Sequence, residues 1–224
     1  MLLVILIILT LFVGLGFVNY VKTTNDVSIS EKVNEIKNQK SYVSYDDISE
    51  DLLKATVAIE DRRFYEHSGV EYRSMARALY QNVTAGEIRG GGSTITQQLA
   101  KNMYYTYQPS YLRKVSEIFT AYDIEKELSK KEILELYVNV INYGDNYIGI
   151  KAASEGYFHK NPKELTLDEA TLLAGLPQSP ANYQLSNHES SARKRQVQVL
   201  DAMIREEMID ENQKAAVVKQ AEKK

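Results

Sequence analysis

The chain has 224 residues, with 27 Lys plus Arg against 30 Asp plus Glu and a formal net charge of −3. That length suits one sizeable domain, with or without a small appendage, and the near-balanced charge argues against a general nucleic-acid binder. Cysteine is absent, which excludes disulfides and thiolate metal sites.

The first element is "MLLVILIILTLFVGLGFVNY", apolar from Leu2 to Val18 and interrupted only by Thr10 and two glycines. A run of roughly this length is near the lower limit for crossing a bilayer. A cleaved leader normally shows a basic start, a shorter apolar core and an A-x-A-like site, and none is present. Residues 1–21 therefore read as an uncleaved transmembrane anchor. Charge bias does not orient it, because no Lys or Arg precedes the span and Lys22 follows it. Residues 22–44 are polar, with few large apolar groups, and read as a stalk. Residues 45–224 read as the functional domain.

From Ser49 onward the periodicity is helical. "SEDLLKATVAIED" has an N-cap at Ser49 and puts Leu53, Val57 and Glu60 on one face. "YRSMARALY" spaces Tyr72, Met75, Ala76 and Leu79 as a helical stripe, and "STITQQLAKNM" starts a helix at Ser93 with Ile95, Leu99 and Met103 in line. "RKVSEIFTAYDIEKEL" aligns Val115, Ile118, Phe119 and Tyr122. Capping boxes open two more helices, Ser129 with Glu132 and Thr166 with Glu169, the second stopping at Pro177. "ARKRQVQVLDAMIREEMI" is the last amphipathic helix. No strand alternation, hairpin dipeptide or internal repeat appears, so the domain is mainly α.

Two carboxylates stand out, each with two readings. Glu60, at a helix C-terminus on an apolar face, is either a surface ion pair with Arg62 or Arg63 or a desolvated carboxyl with a raised pKa, suited to general acid–base work. Glu117 follows Arg113 by four residues and Lys114 by three. It is either an ordinary helix-surface pair or a carboxylate set among cations that face a phosphorylated substrate. Between them, Gly90, Gly91 and Gly92 let backbone approach a ligand closely, and the helix start that follows attracts anions. The histidines, at 67, 159 and 188, are too scattered for a zinc site.

Five segments in order, "EDRRFYEHSG", "GGSTITQQLAKN", "RKVSE", "KKEILELYVN" and "RKRQVQVL", resemble the signature segments of the peptidoglycan glycosyltransferases. The resemblance covers roughly residues 45–210. Each segment alone is weak; five in sequence are specific. The family are lysozyme-like enzymes that polymerise lipid II, alone or as the first domain of class A penicillin-binding proteins. The resemblance implies a two-lobed helical domain behind a single transmembrane helix, held outside the cytoplasmic membrane. It also implies as partners lipid II, the growing glycan strand, the bilayer and the cell-wall synthesis machinery, with no nucleic acid. Glu60 resembles the general base, and Glu117 the second carboxylate, which supports the donor site or a divalent cation (Mg or Mn) near the pyrophosphate. Lys101, Arg113 and Lys114 resemble the cations that neutralise that pyrophosphate. Asp61, Arg63, Phe64, Arg77, Ser93, Thr94, Gln97, Gln98, Asn102 and Glu135 are implied as further substrate-binding positions.

Two departures stand beside these matches. Gln196 follows Arg195 where the family commonly has a second arginine, and "YTYQPSY" carries no cation. The tyrosines at 104, 105, 107 and 111 suit a membrane interface. Two rivals remain: a lysozyme-like hydrolase or lytic transglycosylase, which needs no cationic groove, and an anchored wall-binding protein, which needs no base.

Overall fold

The structure, a computed structural model, describes residues 2–85, 92–105 and 111–221. These residues form α-helices and short 3-10 turns; the only extended pairing among them is an isolated antiparallel bridge between Asn142 and Ile148. The mainly α expectation holds.

Helix α1 (Leu2–Asp26) is a single helix, about 37 Å long at 1.5 Å per residue, apolar from Leu2 to Val18 and polar in its last turns. It runs beyond the expected boundary at residue 21. The segment expected as a stalk is also more than a spacer. Helix α2 (Ile29–Lys37) opens with a capping box between Ser28 and Glu31 and buries Ile29, Val33 and Ile36 in the core. Those three apolar residues recur at helical spacing, so a segment of low overall hydrophobicity still docks, against α7.

Helix α3 (Glu50–Glu60) buries Leu52, Leu53, Ala55, Thr56, Val57 and Ala58, more than the single stripe expected, because α9 and α11 pack on different sides of it. Helix α4 (Tyr72–Ala85) departs from its expected core face: Tyr72 is 65% exposed and Ala76 is exposed. Helix α5 (Ile95–Tyr104) starts one residue later than expected. Thr94, not Ser93, is the N-cap, and its hydroxyl accepts from the Gln97 N–H while the Gln97 side chain accepts from the Thr94 N–H. Ile95, Leu99 and Met103 are buried as the periodicity indicates.

Helix α6 (Tyr111–Glu127) lies between α1 and α5. Helix α7 (Lys130–Val140) uses the Ser129–Glu132 box and buries six of its residues in series from Ile133 to Asn139, apart from the half-buried Glu135. Helix α8 (Ile150–Phe158) is entered through Gly149 at φ +81°, where a Cβ would sit 2.4 Å from the Asn139 carbonyl oxygen. Only glycine fits that close backbone approach.

Helix α9 (Leu167–Gly175) uses the Thr166–Glu169 box and yields to a 3-10 turn over Leu176–Gln178. A short α10 (Pro180–Tyr183), the long α11 (Leu185–Arg205) and an additional α12 (Glu211–Ala221) complete the domain. The core runs through α3, α5, α7, α9 and α11, and the last turn of α3 emerges from it at Glu60.

Candidate active site

Four elements converge on that last turn. Gln98 and Lys101 from α5, Arg113, Lys114 and Glu117 from α6, Gln178 from the turn after α9 and Arg195 from α11 join Glu60 around a cavity of about 440 Å³.

Glu60 is 10% exposed. Gln98 Nε2 donates to its Oε2 at 2.6 Å, and Arg195 Nη2 lies 3.9 Å from its Oε1. The surface-pair reading does not hold: Arg62 lies 3.8 Å from Glu206, and Arg63 pairs with Glu71. Burial raises the Glu60 pKa above the usual glutamate value, with the Gln98 hydrogen bond and the Arg195 charge opposing, Asp61 adding to the rise and Lys101 opposing it. The Gln98 amide is itself oriented, because the buried Tyr137 hydroxyl donates to its Oε1 at 3.2 Å. That leaves its Nε2 for Glu60.

On the opposite wall, Glu117 is 2% exposed, with Lys114 Nζ 3.0 Å from Oε2 and Arg113 Nε 3.4 Å from Oε1. Lys114 also donates to Ser93 Oγ at 2.7 Å. The exposed-pair reading of Glu117 fails on burial. Burial also lowers the Lys101 pKa; the Glu117 charge opposes this, Arg113 and Lys114 push it further down, and Glu60 opposes. Three cations crowded on one wall repel one another, and an arriving anion relieves that repulsion. Both Glu117 oxygens face cations, Lys114 on one side and Arg113 on the other.

Several positions implied by the resemblance lie elsewhere. The N-terminus of α5 is filled from within: Asp61 Oδ2 accepts from the Ile95 N–H at 3.1 Å, and Thr94 Oγ1 accepts from the Gln97 N–H at 3.1 Å. Asp61 also faces His67 Nε2 at 2.9 Å. The helix-start anion of the sequence reading is thus a protein carboxylate. Thr94 and Gln97 are buried capping residues, although Gln97 still reaches the cavity wall. Phe64 is fully buried in the core. Glu135 accepts from the Tyr42 hydroxyl and, at 2.7 Å, from the Tyr45 N–H, so it fastens the residue 42–45 segment to α7. Asn102 donates to the Gln98 carbonyl at 2.9 Å, on an exposed face. Arg63 and Arg77 line a second cavity of about 340 Å³, which shares Glu60 and Ser93 with the first and also receives Arg62 and Arg205. Gly90, Gly91 and Tyr107 lie outside the described residues.

Arg195 stands in the fifth ordered segment with no role assigned to it, and spacing does not show that it faces Glu60 from a distant helix. Gln196, at the departure from the double arginine, is buried and donates to the Asp168 carboxylate and carbonyl and to Thr171 Oγ1, all within 2.9 Å. It ties α11 to α9 and holds Arg195 over the cavity.

The family model described as Transglycosylase matches residues 26–204. Penicillin-binding protein 1A of Neisseria flavescens is 43% identical over 182 residues, 81% of this chain and 23% of the relative. Penicillin-binding protein 1F of Bacillus subtilis (strain 168) is 41% identical over 161 residues, 72% of this chain and 22% of the relative. The chain thus spans less than a quarter of the length of these relatives. A buried carboxyl and a cationic wall in one cavity, inside a helical domain matched over most of its length, agree with the five ordered segments: the chain belongs to the transglycosylase family, the lysozyme-like peptidoglycan glycosyltransferases.

Proposed function

We infer that the chain polymerises lipid II into β-1,4 glycan with inversion and release of polyprenyl pyrophosphate. The observation that carries this is the placement of Glu60, buried and raised in pKa, in one cavity with Lys101, Arg113, Lys114 and Arg195. Glu60 takes the proton of the acceptor sugar's 4-hydroxyl as that oxygen bonds to the anomeric carbon of the donor. The bond from that carbon to the pyrophosphate breaks, and the pyrophosphate leaves with the electron pair. A diphosphate needs positive charge as it departs rather than a protonating acid, and Lys101, Arg113 and Lys114 supply it. Glu117 holds Arg113 and Lys114 in place. The second cavity, with Arg63 and Arg77 beside Glu60, suits the other lipid-linked substrate. In this reading α1 crosses the membrane once and the domain lies outside the cytoplasm.

A hydrolase would share the carboxyl but has no use for the cationic wall. The test is incubation of the full chain in detergent with labelled lipid II, followed by product sizing. Glycan polymer and released polyprenyl pyrophosphate are expected. Cleavage of preformed glycan without polymer formation would replace this reading with the hydrolase.

A further inference from the structure

The anchor helix does more than end at the domain. Its last turns lie along α6, the helix that carries Arg113, Lys114 and Glu117. Gly16 sits so close to α6 that a Cβ there would fall 2.5 Å from Val115 Cβ. The fully buried Ser116 hydroxyl donates to the Gly16 carbonyl at 2.9 Å and accepts from Asn19 Nδ2 at 2.9 Å. Phe17 meets Phe119 edge-on with centroids 5.1 Å apart, and the Tyr20 hydroxyl donates to Asp123. Small residues that permit close approach, joined by side-chain hydrogen bonds, are what fasten helices where water does not drive association.

We propose that Asn19 and Ser116 are positioning residues: their hydrogen-bonded node with Gly16 fixes α6 on the anchor and so sets where Arg113, Lys114 and Glu117 stand in the cavity. The inference rests on the function proposed above for its kinetic arm only. Ser116 is the chain neighbour of Glu117, and Val115 and Leu112 flank Arg113 and Lys114. A rigid helix cannot shift or rotate one of these sets without moving the other. The anchor face and the cavity face of α6 therefore move as one body. Anchor docking and pyrophosphate binding then favour the same position of α6, so loosening the node weakens substrate binding even where no membrane is present. A simple tether has no such effect, since it acts only by concentrating the domain at the lipid.

The experiment uses the full chain in detergent. Asn19→Ala and Ser116→Ala should each raise KM for lipid II roughly threefold, the worth of one interhelical hydrogen bond, with kcat falling as well where the displaced cations serve the departing pyrophosphate. Asn19→Gln, which keeps the amide donor on an exposed face, should recover most of the loss. Two readouts do not depend on turnover. Hydrogen exchange at the amides of residues 113–117 should quicken in Asn19→Ala. In this cysteine-free chain, the pair Asn19→Cys and Ser116→Cys should cross-link in membrane vesicles when copper–phenanthroline is added, with dissolved oxygen accepting the two electrons and two protons of the thiols. Unchanged KM in both alanine variants, with unchanged exchange at 113–117, would overturn the coupling, and absence of the cross-link would overturn the docking. A wild type that fails to polymerise lipid II would refute the proposed function, while exchange and cross-linking would still decide the node.

Discussion

At the scale of single residues, the role proposed for Glu60 as base makes two predictions. Glu60→Gln keeps the shape and the contact with Gln98 but removes the base, so lipid II turnover should fall roughly 10²–10⁴-fold with binding retained. Turnover near the wild-type rate would remove Glu60 from the mechanism. The same variant reports on the buried charge. Because the folded-state pKa of Glu60 is raised, its carboxyl favours folding below the ordinary glutamate value near 4.3, and that contribution is lost as pH rises through the folded value. Melting scans should therefore show Glu60→Gln gaining on wild type above pH 4.3 and losing that advantage below it. On the opposite wall, Lys101→Ala and Arg113→Ala each remove a charge-assisted contact worth about 1.5–3 kcal/mol, or roughly 10- to 150-fold in turnover. Arg113→Lys should recover only part, since lysine lacks the planar fork. Added salt should slow the wild type more than either alanine variant, and kinetics across a salt series checks this. Phe64 and Glu135 mark the opposite case: positions implied as substrate contacts whose burial and partners make them structural.

At the scale of elements, the helices were legible where a capping residue and a stripe coincide, as at Ser129 with Glu132 and Thr166 with Glu169. The start of α5 was legible to within a residue. What filled it was not, because Asp61 reaches the Ile95 N–H from a different turn. Thr94 holds both its own box and the Gly69 carbonyl, at 2.6 Å. Thr94→Ala should cost about 1–2 kcal/mol, and thermal unfolding should show a Tm loss of roughly 2–8 °C for a domain of this size. An unchanged Tm would mean that Asp61 alone suffices to cap α5. Helix α4 shows the limit of periodicity: a helical stripe forms a helix but does not fix which of its residues are buried, and Tyr72 is exposed, with its hydroxyl bonded to that of Tyr122 on α6.

At the scale of the whole molecule, the anchor and α6 share an interface, and removing the anchor tests it both as tether and as support for α6. Deletion of residues 1–21 leaves Ile29, Val33 and Ile36 and the rest of the core in place, so circular dichroism should show a folded helical domain. The deletion also uncovers Val115 and Phe119 on α6, and size-exclusion chromatography without detergent should show self-association. Activity should fall more in membranes than in detergent, since the local concentration at the lipid is lost as well. An unfolded deletion variant would make the anchor part of the core.

The sequence by itself determined the mainly α class, the long apolar N-terminal helix, the capping boxes and, through five ordered segments, the family; the same segments carry Glu60, Glu117, Lys101, Arg113 and Lys114, which line one cavity. These follow from local chemistry: periodicity, caps and motif residues are written within a turn or two of chain. Only the tertiary structure decided that α2 belongs to the core, that Asp61 rather than a ligand occupies the start of α5, that Arg195 faces Glu60 from α11, and that the anchor locks onto Ser116. Each of these joins residues distant in sequence. Burial, and the pKa it raises at Glu60, exists only once the helices around that carboxyl have closed.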